Sequence, residues 1–416
     1  MINNNYLIPI INFSNIIIER AKGSYLYDTN GKKYLDLNSG QFCTVLGHSN
    51  DDIVSNINSD NSNIIHTATN ILSKTVLEAS ENLYRISEEM KGYSIILSTG
   101  AEVVEFCLRY AKKIKRKNGI ICFNKGYHGL TLGAQSVTFG GKYSLPSVTD
   151  IYSLDIDSPE NIKNSIERVC LKLEELLKAN NDNIAAVIFE PIVSVGGMVF
   201  FTKEFWAEVR RLCIKYDILL ILDECQTGFG RTGNWFAYQT YGFVPDMIAC
   251  AKAVGLGYPV SIAMFNERII KRDGFGITHY SSHQNDAFAA NIINSGIKFI
   301  EGANILLDVN NKGEYFLSKL KSLESKNKYF INARGKGLML GIDLYFDSIS
   351  DYRSIYNYLY ALMIEKGLII QGTDGGHVLR FLPDYLISLE NIDFAIDALD
   401  EGINQIANSK AGGKFI

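Results

Sequence analysis

Thr99-Gly100-Ala101-Glu102, Tyr127-His128, Glu190, Asp223-Glu224 and Lys252 share one setting: each follows a short apolar run. The runs are YSIIL (93–97), GIICF (119–123), IAAVIF (184–189), ILLIL (218–222) and MIACA (247–251). Thr99 with Glu102 three residues on reads as a capping box that opens a helix. Small residues there let several backbone N–H groups approach one anion, and a helix N-terminus favours negative charge. Taken alone, the same four residues also describe an ordinary helix start.

Asp223 and Lys252 need more explanation. A carboxylate at the end of a buried strand is costly without a cationic or donor partner. A protonated pyridine nitrogen would serve; at 4 Å and an effective dielectric of 20 the attraction is about 4 kcal/mol. An ion pair with Arg231 is the structural alternative. Lys252 leaves a strand of small and apolar residues, where an amine partly out of water captures carbonyl groups as a Schiff base; the alternative is a lysine leaving the sheet for solvent. Tyr127 offers a face for stacking, and His128 is either a ligand or a buried hydrogen-bonding histidine. Together the residues supply a phosphate cradle, a stacking face, a pyridinium partner and a carbonyl-trapping amine. That set matches pyridoxal 5′-phosphate.

The elements that must position these groups are legible in the intervening segments. Val103, Cys107, Tyr110, Ala111 and Ile114 fall on one helical face, as do Phe205, Val209, Leu212 and Cys213. Unbroken apolar strands alternating with amphipathic helices predict an α/β fold with a mainly parallel sheet covered on both faces. Ligands of such sheets bind beyond the carboxyl ends of the strands, where all the residues above lie.

Length and composition bound the reading. The chain has 416 residues, 47% hydrophobic and 21% charged, with a formal net charge of −4. This fits two domains or one elaborated domain and gives no basis for nucleic-acid or anionic-membrane partners. The opening MINNNYLIPIINFSN has no basic region and reads as mature structure, and no run approaches a membrane span. Seven cysteines without C-x-x-C spacing fit buried thiols in a reducing cytoplasm, and the sequence predicts no metal ligand set. Two lookalikes fail. LLILDE resembles the acidic strand of P-loop ATPases, but G-x-x-x-x-G-K-[ST] is absent. Gly228-x-Gly230-x-x-Gly233 matches a dinucleotide fingerprint but stands off its strand and opens no helix.

With these residues in view, the chain resembles the class III aminotransferases, pyridoxal-phosphate enzymes of fold type I. The likeness runs from GSYLYDTNGKKYLDLNSG (23–40) to VLRFLPDYL (378–386), and LDECQTGFGRTG followed by PDMIACAKAVGLGYP carries it most specifically. Within the class, SGQFCTVLGH (39–48), LSTGAE (97–102), EPIVSVGG (190–197) and SSHQND (281–286) look closest to 2,2-dialkylglycine decarboxylase-like members. The resemblance implies a seven-stranded, mainly parallel sheet between helices in a large domain (51–300), and a smaller α+β domain from residues 1–50 and 301–416. It implies a homodimer with shared active sites.

The resemblance also implies roles. Lys252 would hold the cofactor and move the substrate proton, Asp223 would pair with the ring nitrogen, and Gln226 would bond the ring oxygen. Tyr127 would stack on one ring face with Cys225 on the other, and His128 and Glu190 would border the ring. Thr99, Gly100 and Ala101 would hold the phosphate, with Ser282 reaching that of the neighbouring subunit. Gln41, Phe42 and Arg380 would meet the substrate, Arg380 gripping its α-carboxylate as a fork. Some decarboxylase-like relatives hold an alkali cation near the residues matching Asp286 and Ser282.

The departures from the family pattern are informative. Ornithine-type members have an arginine where this chain has Leu130, and a glutamate that masks the carboxylate-binding arginine where it has Val195. The expected substrates are therefore α-amino acids and 2-oxo acids, not ω-amines. The expected reaction is transamination through a Lys252 Schiff base; decarboxylation-dependent transamination, racemisation or epimerisation, and a non-catalytic cofactor-binding protein are the alternatives. Phe42 stands where the decarboxylase has methionine, and Val195 where it has serine.

Overall fold

The computed structural model describes residues 8, 14, 16–60, 64–141, 148–156, 162–274, 276–346 and 351–410. The opening stretch read as mature structure lies, apart from residues 8 and 14, outside the described residues.

A seven-stranded sheet forms the centre, in the order Tyr93–Leu97, Ser261–Phe265, Met247–Cys250, Leu219–Asp223, Ile184–Phe189, Gly119–Phe123 and Asp150–Leu154. The last five strands run parallel. Ser261–Phe265 is antiparallel to both of its neighbours, so it alone runs against the rest. The five apolar runs are all strands of this sheet, with the fourth shifted by one residue to end on Asp223.

Successive side chains on these strands feed two cores, as the period of two demands. Leu219 and Ile221 pack with Val103, Cys107 and Tyr110 of the helix Gly100–Lys115. Leu220 and Leu222 pack with Phe205, Val209 and Leu212 of the helix Lys203–Lys215. That helix opens on Thr202, whose side chain accepts from Phe205 N. Burial on both faces removes the need for polar alternation, which is why the strands read as continuous apolar runs.

An early and a late segment of the chain meet in a further sheet. Leu35 of the strand Lys33–Asp36 pairs with Leu368 in a parallel bridge between the first and last parts of the sequence. A separate four-stranded sheet, in the order Phe330–Lys336, Met339–Leu344, Val378–Phe381 and Gln371–Thr373, holds Arg380 opposite Gly341 and Gln371. Among the described residues no helix is long and apolar enough to cross a membrane.

Candidate active site

The carboxyl ends of the central strands open onto a cavity of about 350 Å³, within the usual range of roughly 300–1,000 Å³ for small-molecule sites. Thr99, Gly100, Ala101, Tyr127, His128, Asp223, Cys225 and Lys252 all line it.

Each reaches the cavity through identifiable local chemistry. Thr99 is the N-cap of the helix Gly100–Lys115, with its hydroxyl accepting from Glu102 N at 3.3 Å. Glu102 bonds back to Ser98 N at 2.9 Å, one residue earlier than in an ideal capping box. Gly100 and Ala101, the first two residues of this helix, line the cavity, and amides at that position have no intrahelical partner. Gly129 sits at φ +114°, and a Cβ there would lie 2.7 Å from that of Ala101. Glycine thus lets the loop behind Tyr127 close against the start of the helix.

Asp223 is buried, and its partner is His128, not Arg231. His128 Nδ1 lies 2.8 Å from Asp223 Oδ2, and Cys225 N donates to Oδ1 at 3.0 Å. Burial pushes the Asp223 carboxyl upward, but the His128 and Cys225 contacts and the Lys252 charge outweigh it, leaving it below the ordinary carboxylate range. Arg231 is committed elsewhere, donating to the carbonyl of Leu338, the carbonyl of Pro383 and the Ser39 hydroxyl. Glu224 turns away from the cavity. It accepts from the Thr227 hydroxyl and from the amides of Ala237 and Tyr238, and burial pushes it up to about 7. The adjacent acids thus divide the work: Asp223 faces the cavity, and Glu224 ties down the glycine-rich turn. In that turn a Cβ on Gly228 would lie 2.7 Å from Cys250 Sγ.

Glu190 lies behind the cavity. It accepts from Tyr127 N at 2.8 Å and from Ser194 N at 3.4 Å, so it fixes the backbone that carries the aromatic ring. Burial raises its carboxyl to about 7. Gln226 is buried with Nε2 unpartnered, as is His128 Nε2. Lys252 follows the strand Met247–Cys250 and starts a single 3₁₀ turn at φ +49°, a left-handed conformation that L-residues rarely adopt.

The remaining sequence-predicted residues do not line the cavity. Arg380 is buried 5% exposed, bonds only the Ser194 hydroxyl at 3.0 Å, and lies over the Phe42 ring at 4.7 Å. Its Nε has no partner, and no carboxylate pairs with it among the described residues. Burial lowers its pKa to about 10. Gln41 and Ser282 are exposed. Gln41 and Phe42 belong to Ser39–Phe42, four consecutive residues with positive φ (41°, 55°, 64° and 71°). This left-handed turn packs against Lys252–Gly255. It is held by Gly40 N and His48 Nε2 on Asp36 Oδ2, and by the Ser39 hydroxyl on Leu382 O.

Cys43, Tyr258, Pro259 and Val260 also line the cavity, and sequence reasoning missed them. GYPV follows Lys252 within eight residues, and Cys43 follows Phe42, so proximity to the named residues was the available signal. Ser194 was missed although it immediately precedes Val195.

The family model described as aminotransferase class-III matches residues 11–403. A LysW-aminoadipate semialdehyde/glutamate semialdehyde transaminase of Sulfolobus acidocaldarius is 33% identical over 402 residues, covering 97% of this chain and 98% of that protein. An acetylornithine aminotransferase of Clostridium acetobutylicum is 31% identical over 409 residues, covering 96% and 99%. Among solved structures, a transaminase from the marine bacterium Virgibacillus superposes with a TM-score of 0.89 at 21% identity, over 97% of this chain and 98% of that one. The PMP-bound form of a Vibrio fluvialis aminotransferase gives 0.89 at 21% identity, covering 97% of each chain. A match from residue 11 to residue 403 takes in the sheet, the cavity and Arg380 together: the chain belongs to the class III aminotransferases.

Proposed function

We propose that the protein transfers an amino group from an α-amino acid to a 2-oxo acid with pyridoxal 5′-phosphate held in this cavity by Lys252. One observation carries the reading: Lys252, Asp223, Tyr127 and the first amides of the helix Gly100–Lys115 converge on a single cavity. The donor set fits the cofactor. The helix start suits a phosphate, Asp223 offers a buried anion, and the orphaned Gln226 Nε2 is a buried donor in need of an acceptor.

Bound there, pyridoxal 5′-phosphate supplies an aldehyde that captures amines and a protonated ring that accepts an electron pair. The chain does the rest. Gly100 and Ala101 amides, with the Thr99 segment, hold the phosphate. Asp223 keeps a proton on the ring nitrogen, with His128 fixing the carboxylate's orientation from behind. Tyr127 would offer its face to the ring, while Glu190 holds its backbone. Lys252 Nζ is the base for the substrate Cα proton. Arg380, buried with no ion pair, would receive the substrate carboxylate, and Phe42 supports its guanidinium plane.

Leu130 lines the cavity and is 54% exposed, which favours donors without a distal carboxylate. The names of the relatives favour a second reading, an ω-amine donor of the acetylornithine kind. Gln41 keeps the 2,2-dialkylglycine decarboxylase-like reading in view, in which carbon dioxide leaves, while Phe42 and Val195 depart from it. The assembly proposed is a homodimer, in which exposed Ser282 serves the neighbouring subunit. The proposed domain division is 51–300 against 1–50 with 301–416. Seven free cysteines suit a reducing cytoplasm.

Borohydride reduction of the protein mixed with pyridoxal 5′-phosphate is expected to label Lys252, and Lys252→Ala to lose both label and transamination. Absence of label on the wild-type lysine overturns the cofactor reading. A donor panel then decides the substrate: alanine-like donors should outcompete ornithine derivatives and 4-aminobutyrate, without release of carbon dioxide. The reverse order would install the ω-amine reading.

A further inference from the structure

Away from the cavity, two imidazoles and a carboxylate converge where the helix Ala287–Gly302 begins. Asp286 is its N-cap, with Oδ1 accepting from Ala289 N at 3.0 Å. That bond fixes the carboxylate and turns Oδ2 outward. His66 Nδ1 lies 2.8 Å from Oδ2, and His283 Nδ1 lies 3.2 Å from it. The three atoms lie within 4.8 Å of one another, and the rings are tilted with centroids 5.0 Å apart. The surrounding chain is already braced. Thr69 Oγ1 donates to Ser281 O at 3.1 Å, and Asn285 exchanges hydrogen bonds with Ile96 through its amide nitrogen and its side-chain oxygen.

We propose that His66, His283 and Asp286 form a binding site for a divalent transition-metal ion of the zinc class. A tetrahedral ion about 2.0–2.1 Å from nitrogen and oxygen donors holds its ligands roughly 3.4 Å apart. From the observed 2.8 and 3.2 Å, the two separations from Oδ2 reach that geometry by opening about 0.6 and 0.2 Å, and the two rings must close to a similar separation from within 4.8 Å. Two imidazoles and one carboxylate select zinc, cobalt, nickel or copper over alkali and alkaline-earth ions, which require a shell of oxygens. In the metal-bound state both rings offer Nδ1 lone pairs and carry their protons on Nε2. Three protein ligands leave a fourth position for water, and in the single chain the side chains of His66 and His283 are 41% and 67% exposed. The ion would cross-link the segment around His66 to the turn 281–286, and so stiffen the turn that carries Ser282.

The test is calorimetric titration of the chelator-stripped, pyridoxal-phosphate-loaded protein with Zn²⁺, alongside thermal unfolding. One Zn²⁺ per chain and a raised Tm are expected. His66→Ala and His283→Ala should each weaken binding by at least about tenfold. Co²⁺ should give visible bands that disappear in the double variant. Should an alanine variant fold poorly, His66→Gln with His283→Gln keeps polar side chains of similar reach and should lose the metal equally. The proposal is overturned if Zn²⁺ binding does not saturate, if it survives in the double variant, or if Na⁺, K⁺ or Mg²⁺ raise Tm to the same extent.

Discussion

The sheet end of the site and the Arg380 end treat charge in opposite ways. At the sheet end the carboxylates are answered from within: Asp223 by His128 and Cys225 N, Glu190 by the amides of Tyr127 and Ser194. At the other end Arg380 has only a neutral serine hydroxyl and an aromatic face. A buried guanidinium with no ion pair, and only the Glu190 charge acting on it from a distance, is a standing cost. The difference teaches which ligand is resident and which is transient. Groups locked to one another suit a molecule that stays, and a charge left unanswered suits one that comes and goes.

Three interventions would break or sharpen this contrast. The largest effect is expected at the sheet end. On the proposed reading, Asp223→Asn removes the anion that would face the ring nitrogen, and an attraction of about 4 kcal/mol corresponds to roughly 10³-fold in kcat/KM. Steady-state kinetics on the cofactor-loaded variant measure it, and a loss under tenfold would mean that Asp223 is structural. At the other end, Arg380→Ala removes charge-assisted hydrogen bonds of about 1.5–3 kcal/mol. That raises KM for an α-amino acid about 10- to 100-fold while leaving KM for an amine without a carboxylate nearly unchanged. Equal losses for both donors would show that Arg380 does not read the carboxylate.

The smallest effect is a pH slope. Burial raises the Glu190 carboxyl to about 7 against an unfolded value near 4.3. Between those values the folded state holds a proton that the unfolded chain has lost, so this stabilisation is full below about pH 4 and fades as pH rises through 7. Glu190→Gln should flatten the fall in Tm over that window by a few degrees, as thermal unfolding from pH 5 to 8 would reveal. Glu224, raised by the same cause, retains its own slope. An unchanged profile would mean that Glu190 is ionised in the fold throughout.

The sequence made the sheet end more legible than the Arg380 end, for physical reasons. Strands buried on both faces lose all polar alternation, so five of seven appear as apolar runs. The two that escaped differ. Asp150–Leu154 is an edge strand of mixed burial, and Ser261–Phe265 follows Lys252 antiparallel, with only a single 3₁₀ turn and a short loop between. The residues at the strand ends could be found because topology alone delivers them to one place. The His128–Asp223 pair could not, since 95 residues separate its members and Arg231 offered a nearer charge. Arg380 was reachable only through family likeness; its partners Ser194 and Phe42 arrive from loops whose shape depends on tertiary contacts.

The turn at Ser39–Phe42 carries a consequence for assembly. Winding L-residues in the wrong hand costs about 1–2 kcal/mol each, and only Gly40 escapes. No local preference of SGQF would produce that shape. Asp36, itself held by His48, fixes it from close by, and Leu382 and Arg231 fix it from remote stretches of chain. The corner beside Arg380 therefore takes form only after the segments around Leu382 and Arg231 have docked, so on the proposed reading a partly folded molecule would own a finished cofactor bed and still be unable to greet a substrate.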